Sequence, residues 1–123
     1  MKKKLAMVLS AAMLLGTCIT AYAASNSGYA GTAHYNAELE LSNTRAAAYN
    51  NTDSDCYLSV DGYAVTTFKT YYLISSADNA RYTGSTRTTT VDEFRSAQVR
   101  YEIAASDGSG TRSFDLIESN YSD

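Results

Sequence analysis

The sequence predicts an all-β protein, a small antiparallel β-sandwich of six to eight strands behind a cleaved signal peptide. Three observations carry this. Two stretches, 33–42 and 97–105, alternate apolar and polar residues with a period of two, which is what strands with one buried and one wet face require. Turn-forming residues recur at roughly ten-residue spacing, with no strand-helix-strand rhythm between them. The composition also favours sheet over helix. There is no Pro or Trp, eleven Tyr and three Phe occur, and Ser plus Thr make up 26 of the last 100 residues.

The N-terminus reads as an export signal. Lys2, Lys3 and Lys4 form a basic start, 5–20 is largely apolar, and Ala21-Tyr22-Ala23 fits the small-x-small cleavage pattern, which predicts a cut after Ala23. Ser10, Thr17, Cys18 and Thr20 interrupt the apolar run and argue against a membrane span. Leu15-Gly16-Thr17-Cys18 resembles the lipobox of bacterial lipoproteins, with Thr17 departing from its pattern, so lipidation at Cys18 is the alternative. Cleavage leaves 100 of the 123 residues, enough for one domain.

The predicted organisation is signal peptide 1–23, flexible leader 24–32, sandwich domain 33–118 and tail 119–123. The leader assignment rests on the Ser, Gly, Asn and Ala of 25–32. Ala33, Tyr35, Ala37, Leu39 and Leu41 mark the buried side of the first strand. Arg45 to Tyr49 gives a short second strand, and the polar run Asn50 to Asp55 a loop. Cys56, Leu58 and Val60 share one side of the next strand, and the Asp61-Gly62 pair after it predicts a tight hairpin to Tyr63–Phe68.

Thr70 to Ser75 is β-prone, 77–80 reads as a turn, and 81–90 as a strand with a bulge at Gly84. Thr90-Val91-Asp92-Glu93 resembles a capping box and predicts one helical turn over 91–96. The alternating strand 97–105, a turn at Asp107-Gly108-Ser109-Gly110 and a final strand 111–118 complete the domain.

Charge limits the partners. Removing the three signal lysines takes the net charge from −3 to −6, which repels nucleic acid and anionic lipid, so no nucleic-acid and no membrane partner is expected after signal cleavage. The expected localisation is extracellular.

Candidate chemistry is sparse. Glu38 and Glu40 project from one side of a strand with Cα atoms about 6.6 Å apart, near the separation of glycosidase carboxylate pairs. They lie side by side and do not flank a cleft, so a solvated face is expected. His34 is the only histidine, and any nucleophilic relay would have to use it, with Cys56 as its thiol. Asp53-Ser54-Asp55 offers oxygen ligands but breaks the EF-hand pattern at Tyr57 and Leu58. No catalytic residue, metal site or cofactor is expected.

Cys56 is the one thiol left after cleavage. It is read as a small buried hydrophobe, with an intermolecular disulfide and a Cys56-linked dimer as the alternative. Tyr57, Tyr63, Tyr71 and Tyr72 are the candidate binding residues, because tyrosine offers rigid area with a polar tip. The sequence thus points to a secreted, non-enzymatic module that binds a protein or a cell-surface polymer. The alternatives are a bacteriocin-like antibacterial or signalling polypeptide, similar in layout only to some non-lanthionine bacteriocins, and a small hydrolase or hydrolase inhibitor.

Overall fold

A computed structural model of the chain describes residues 21–120, so the basic and apolar stretch read as an export signal, with Cys18, lies outside the described residues. Six strands follow in order: β1 (Ala21–Ala30), β2 (Ala33–Ser42), β3 (Arg45–Thr66), β4 (Thr70–Thr88), β5 (Phe94–Ala105) and β6 (Thr111–Ser119). They occupy 82 of the 100 described residues and leave no helix among them. The all-β, antiparallel expectation therefore holds. In place of two stacked sheets, the strands form one hydrogen-bonded sheet in the order β1-β2-β3-β5-β6, with β4 on the other edge of β3. The sheet curls until β1 lies against β6, nearly closing a barrel.

Chain length forces the curl. Twenty-two residues of straight strand would span about 70 Å, far beyond a 100-residue domain with a radius of gyration near 13 Å. β3 bends where its register against β4 shifts, between Asn51 and Leu58. β4 bends with it, and its Asn79 has φ of 52°. Ser75 and Thr83 of β4 then hydrogen-bond through their hydroxyls at 2.7 Å, although eight residues of straight strand would hold them about 26 Å apart. The first half of β3 pairs with β2 and the second half with β5.

The two alternating stretches behave as predicted. Ala33, Tyr35, Ala37, Leu39 and Leu41 of β2 are buried, as are Ala97, Val99, Tyr101, Ile103 and Ala105 of β5. Between the halves of the sheet runs an aromatic stack. Phe114 lies 5.5 Å from both Tyr35 and Tyr101. The two hydroxyls are satisfied: Tyr35 donates to Asn26 Oδ1 at 2.8 Å, and Tyr101 donates to the Glu38 carbonyl at 2.7 Å. Burial raises the Tyr101 pKa further, so it stays a donor at any ordinary pH.

Several expectations are corrected. The flexible leader is strand β1, paired residue by residue with β2 from Ala21↔Ser42 to Ala30↔Ala33. Gly28 within it carries no side chain because the Tyr35 ring fills the space above it. Asp61 and Gly62 lie mid-strand in β3, and the hairpin turn falls instead at 67–69. Gly62 does not have positive φ; a Cβ there would overlap the Gln98 carbonyl and come within 2.5 Å of Val99 Cα, so close approach of β5 is what requires glycine.

The polar run 50–55 is part of strand β3, with Asn50 buried and Asn51, Asp53 and Asp55 exposed. Gly84 keeps regular register opposite Tyr49, making room for the Tyr49 and Tyr82 rings, and the β4 irregularity comes at 77–80. Residues 89–93 form bends with no helical turn. Ser119 ends β6 and Asn120 is fixed by its N–H to the Arg95 carbonyl at 2.7 Å, so these two belong to the fold, while the rest of the predicted tail, 121–123, lies outside the described residues.

One end of the fold is closed by turns. Gly31, with φ of +60° and Thr32 after it, makes the two-residue β1–β2 connection, and its backbone packs on Gly110 of the β5–β6 turn. Thr32 N–H donates to Ser109 Oγ at 2.9 Å, and its hydroxyl donates to Asp107 Oδ2 at 2.7 Å.

Candidate functional site

The strongest candidate lies on the outer face of β4, β3, β5 and β6. Alternation turns Tyr72, Tyr63, Gln98 and Ile117 outward, and register sets them in one row, since Tyr63 is opposite both Tyr72 and Gln98, and Gln98 is opposite Ile117. The next row is Ile74, Asp61, Arg100 and Asp115. Between the rows runs a groove of about 350 Å³ lined by Asp61, Gly62, Tyr63, Tyr72, Gln98, Arg100 and Asp115.

Its chemistry is an aromatic platform beside a hydrogen-bonding ladder. Tyr63 and Tyr72 are 40% and 59% exposed, adjacent across the β3–β4 ladder. Arg100 Nε and Nη2 donate to the two carboxylate oxygens of Asp115 at 2.9 and 3.4 Å, a two-pronged pairing that fixes both planes. That bond and the charge of Asp115 raise the Arg100 pKa. Asp61 and Asp115 against Arg100 leave the groove one negative charge. Ile74 and Ile117 flank it, 60% and 63% exposed.

The four predicted tyrosines divide. Tyr63 and Tyr72 come together in the groove. Tyr57 shares their face, but it lies six residues from Tyr63 along β3, about 20 Å away, and does not line the groove. Tyr71 is corrected: it is half-buried on the opposite face, edge-on to Phe94 at 5.2 Å, with Lys69 Nζ 5.0 Å and Arg87 Cζ 5.5 Å from its ring. Gln98, Arg100 and Asp115 were missed. Their only signal is their place on the polar side of 97–105 and 111–118, and register is needed to bring them beside the tyrosines.

Cys56 is fully buried in the core with Leu58, Ile103 and Tyr35, its thiol donating to the Ser54 carbonyl at 3.4 Å. Burial pushes this thiol up, and Asp53, Asp107 and Asp55 add to the effect against a bond from Thr52. The buried-hydrophobe reading stands, and the sulfur has no exposed surface from which to bridge to another chain. The His34 ring lies edge-on to Tyr29 at 5.1 Å, and the His34 backbone N–H donates to Asp53 Oδ1 at 2.9 Å. Asp55 is paired with Arg81 at 3.1 Å. Among the described residues no three His, Cys, Asp or Glu side chains gather as metal ligands.

Glu38 and Glu40 are less solvated than predicted. Both are half-buried on the outer side of β2, and Arg45 Nη1 donates to Glu40 at 3.0 Å while its other amino group reaches the Tyr49 hydroxyl. Burial, reinforced by Glu40, raises the Glu38 pKa to about 8, so one carboxyl of the pair keeps its proton near neutrality. The two sit side by side on one strand, with no cleft between them.

Comparison of the chain with protein-family models, with curated proteins and with solved structures finds no match.

Proposed function

We propose that the chain is an exported, non-enzymatic binding module that holds a neutral cell-surface glycan along the groove of Tyr63, Tyr72, Gln98, Arg100 and Asp115. The observation that carries this reading is the pairing of two exposed, adjacent tyrosine rings with an amide, a guanidinium and two carboxylates in one open groove. Sugar rings offer flat C–H faces for the tyrosines and hydroxyl or acetamido groups for the polar row. The groove's negative balance and the mature charge of −6 disfavour anionic polymers. Secretion rests on the signal-like 1–23 and the cut expected after Ala23.

Titration of the full exported chain with a chitin hexasaccharide, followed by tyrosine fluorescence, tests the reading. Saturable binding is expected, weakened about fivefold or more by Tyr63→Ala or Tyr72→Ala and unchanged by Tyr57→Ala. Absence of saturation at millimolar sugar, or equal affinity in the Tyr63 and Tyr72 variants, overturns it.

A further inference from the structure

β4 pairs with β3 alone, so among the described residues its other edge carries a full row of backbone N–H and C=O groups without a strand partner. The two halves of this edge differ. From Arg81 onward it carries Arg81 and Arg87 and follows the bulge at 77–80, devices that discourage another strand from adding. Thr70-Tyr71-Tyr72-Leu73-Ile74-Ser75-Ser76-Ala77 carries no charge, no Pro and no Gly, and is dense in β-forming residues. Backbone groups in such a row are best satisfied by a β-strand. The segment is uncharged from Thr70 to Ala77, so a second copy of it meets no like charge along the paired stretch.

We propose that this edge pairs with the same edge of a second copy, antiparallel and centred on Leu73. That register sets Tyr72 of each copy opposite Ile74 of the other. These are the large outward residues of the segment, 59% and 60% exposed in the single chain, and aromatic against β-branched is a favourable cross-strand pair. Sliding by one pair in either direction leaves one of them opposite Thr70 or Ser76. At each end Lys69 of one copy falls opposite Ala77 of the other, so no like charges meet where the pairing stops. The twofold consumes both edges and closes the assembly at a dimer. Cys56 takes no part. Ile74 is outside the groove lining, and the dimer does not depend on the glycan reading.

Sedimentation equilibrium of the exported chain over a range of concentrations is the test, with hydrogen exchange at the β4 amides as its companion. The expected result is a reversible monomer–dimer equilibrium unaffected by reductant, with protection that rises with concentration at those 70–76 amides that point away from β3. Ile74→Lys should raise the dimer dissociation constant at least about tenfold, since two Tyr72–Ile74 pairs are lost, while leaving thermal unfolding of the monomer in place. A monomer at every concentration, a larger open-ended assembly, a dimer indifferent to Ile74→Lys, or protection already present in the monomer at those 70–76 amides that point away from β3 each overturn the proposal. Failure of sugar binding leaves the measured mass untouched, so the two readings fail separately.

Discussion

Replacing Gly31 by alanine tests the turn-on-turn contact that closes one end of the fold. Two effects add at this position. With φ at +60° in a two-residue hairpin connection, an L side chain occupies a backbone region that costs about 1–3 kcal/mol. The new methyl would also overlap Ser109 Oγ and stand 2.5 Å from Gly110 N, where ordinary contact is near 3.5–4 Å. Relieving that overlap means moving the Asp107–Gly110 turn and stretching the Thr32 bonds to Ser109 and Asp107, an overpacking cost of about 1–3 kcal/mol. The sum is about 2–6 kcal/mol.

Two companion variants separate the parts. Gly108 has φ of +78° with nothing within 4 Å of a Cβ, so Gly108→Ala should cost only the backbone part, about 1–2 kcal/mol. Gly110 lacks positive φ, but its Cβ would lie 2.6 Å from Gly31 N, so Gly110→Ala should cost only the overlap, about 1–3 kcal/mol. Equilibrium urea unfolding followed by far-ultraviolet circular dichroism measures all three. If Gly31→Ala costs no more than Gly108→Ala, the two turns do not pack backbone on backbone and the reasoning fails.

Three further predictions follow from buried polar groups. Because Glu38 is pushed up to about 8 from an ordinary 4.5, the folded state binds a proton there that the unfolded state has released. Stability contributed by this group is therefore complete below pH 4.5 and lost as pH rises towards 8, by about 2 kcal/mol after allowing for solvent screening. Glu38→Gln should flatten that slope in denaturant titrations at pH 5 and 8, and an unchanged slope counts against it. Cys56 should resist a thiol reagent in the native chain and react fully once unfolded, with one band on a non-reducing gel; rapid native labelling would contradict its burial. Asn50 is fully buried with neither amide atom bonded, so Asn50→Leu should stabilise the fold by about 1–3 kcal/mol, read as a higher unfolding midpoint.

Period-two alternation was legible where large apolar residues face small or polar ones, hence β2 and β5 at nearly their observed limits. It failed in β1, whose inward side is Ala24, Asn26, Gly28 and Ala30, because side chains this small leave no hydrophobic period. At Gly28 the limit is set by Tyr35 across the ladder, a fact of tertiary structure. Asp61-Gly62 carried a local turn signal, but there the demand on glycine comes from β5, some 37 residues later in the chain. Asn50 to Asp55 looked like a loop because Asn51, Asp53 and Asp55 of this strand are exposed much as loop residues are. In the groove, tyrosine chemistry pointed to Tyr63 and Tyr72, whereas Arg100 and Asp115 become neighbours only through the β5–β6 register.

The long β3–β4 pair also bears on how quickly the chain can find its fold. Four of the five ladders join consecutive strands, so each closes from a neighbouring turn at small entropic cost. The β3–β5 ladder alone joins strands that are not consecutive, from Thr66↔Phe94 to Cys56↔Ala105, separations of 28 and 49 residues. Once β4 has zipped onto β3, it returns the chain to the start of β3, and Thr89 N–H and Phe94 N–H bind the Thr44 and Asn43 carbonyls there. The remaining search is for β5 to cross from that point to the far half of β3 with β6 already beside it. With β3–β4 partners up to 43 residues apart (Arg45↔Thr88) and β3–β5 partners up to 49 (Cys56↔Ala105), the chain should fold at the slow pace of non-local β pairing, with closure of the 67–69 turn as an early step.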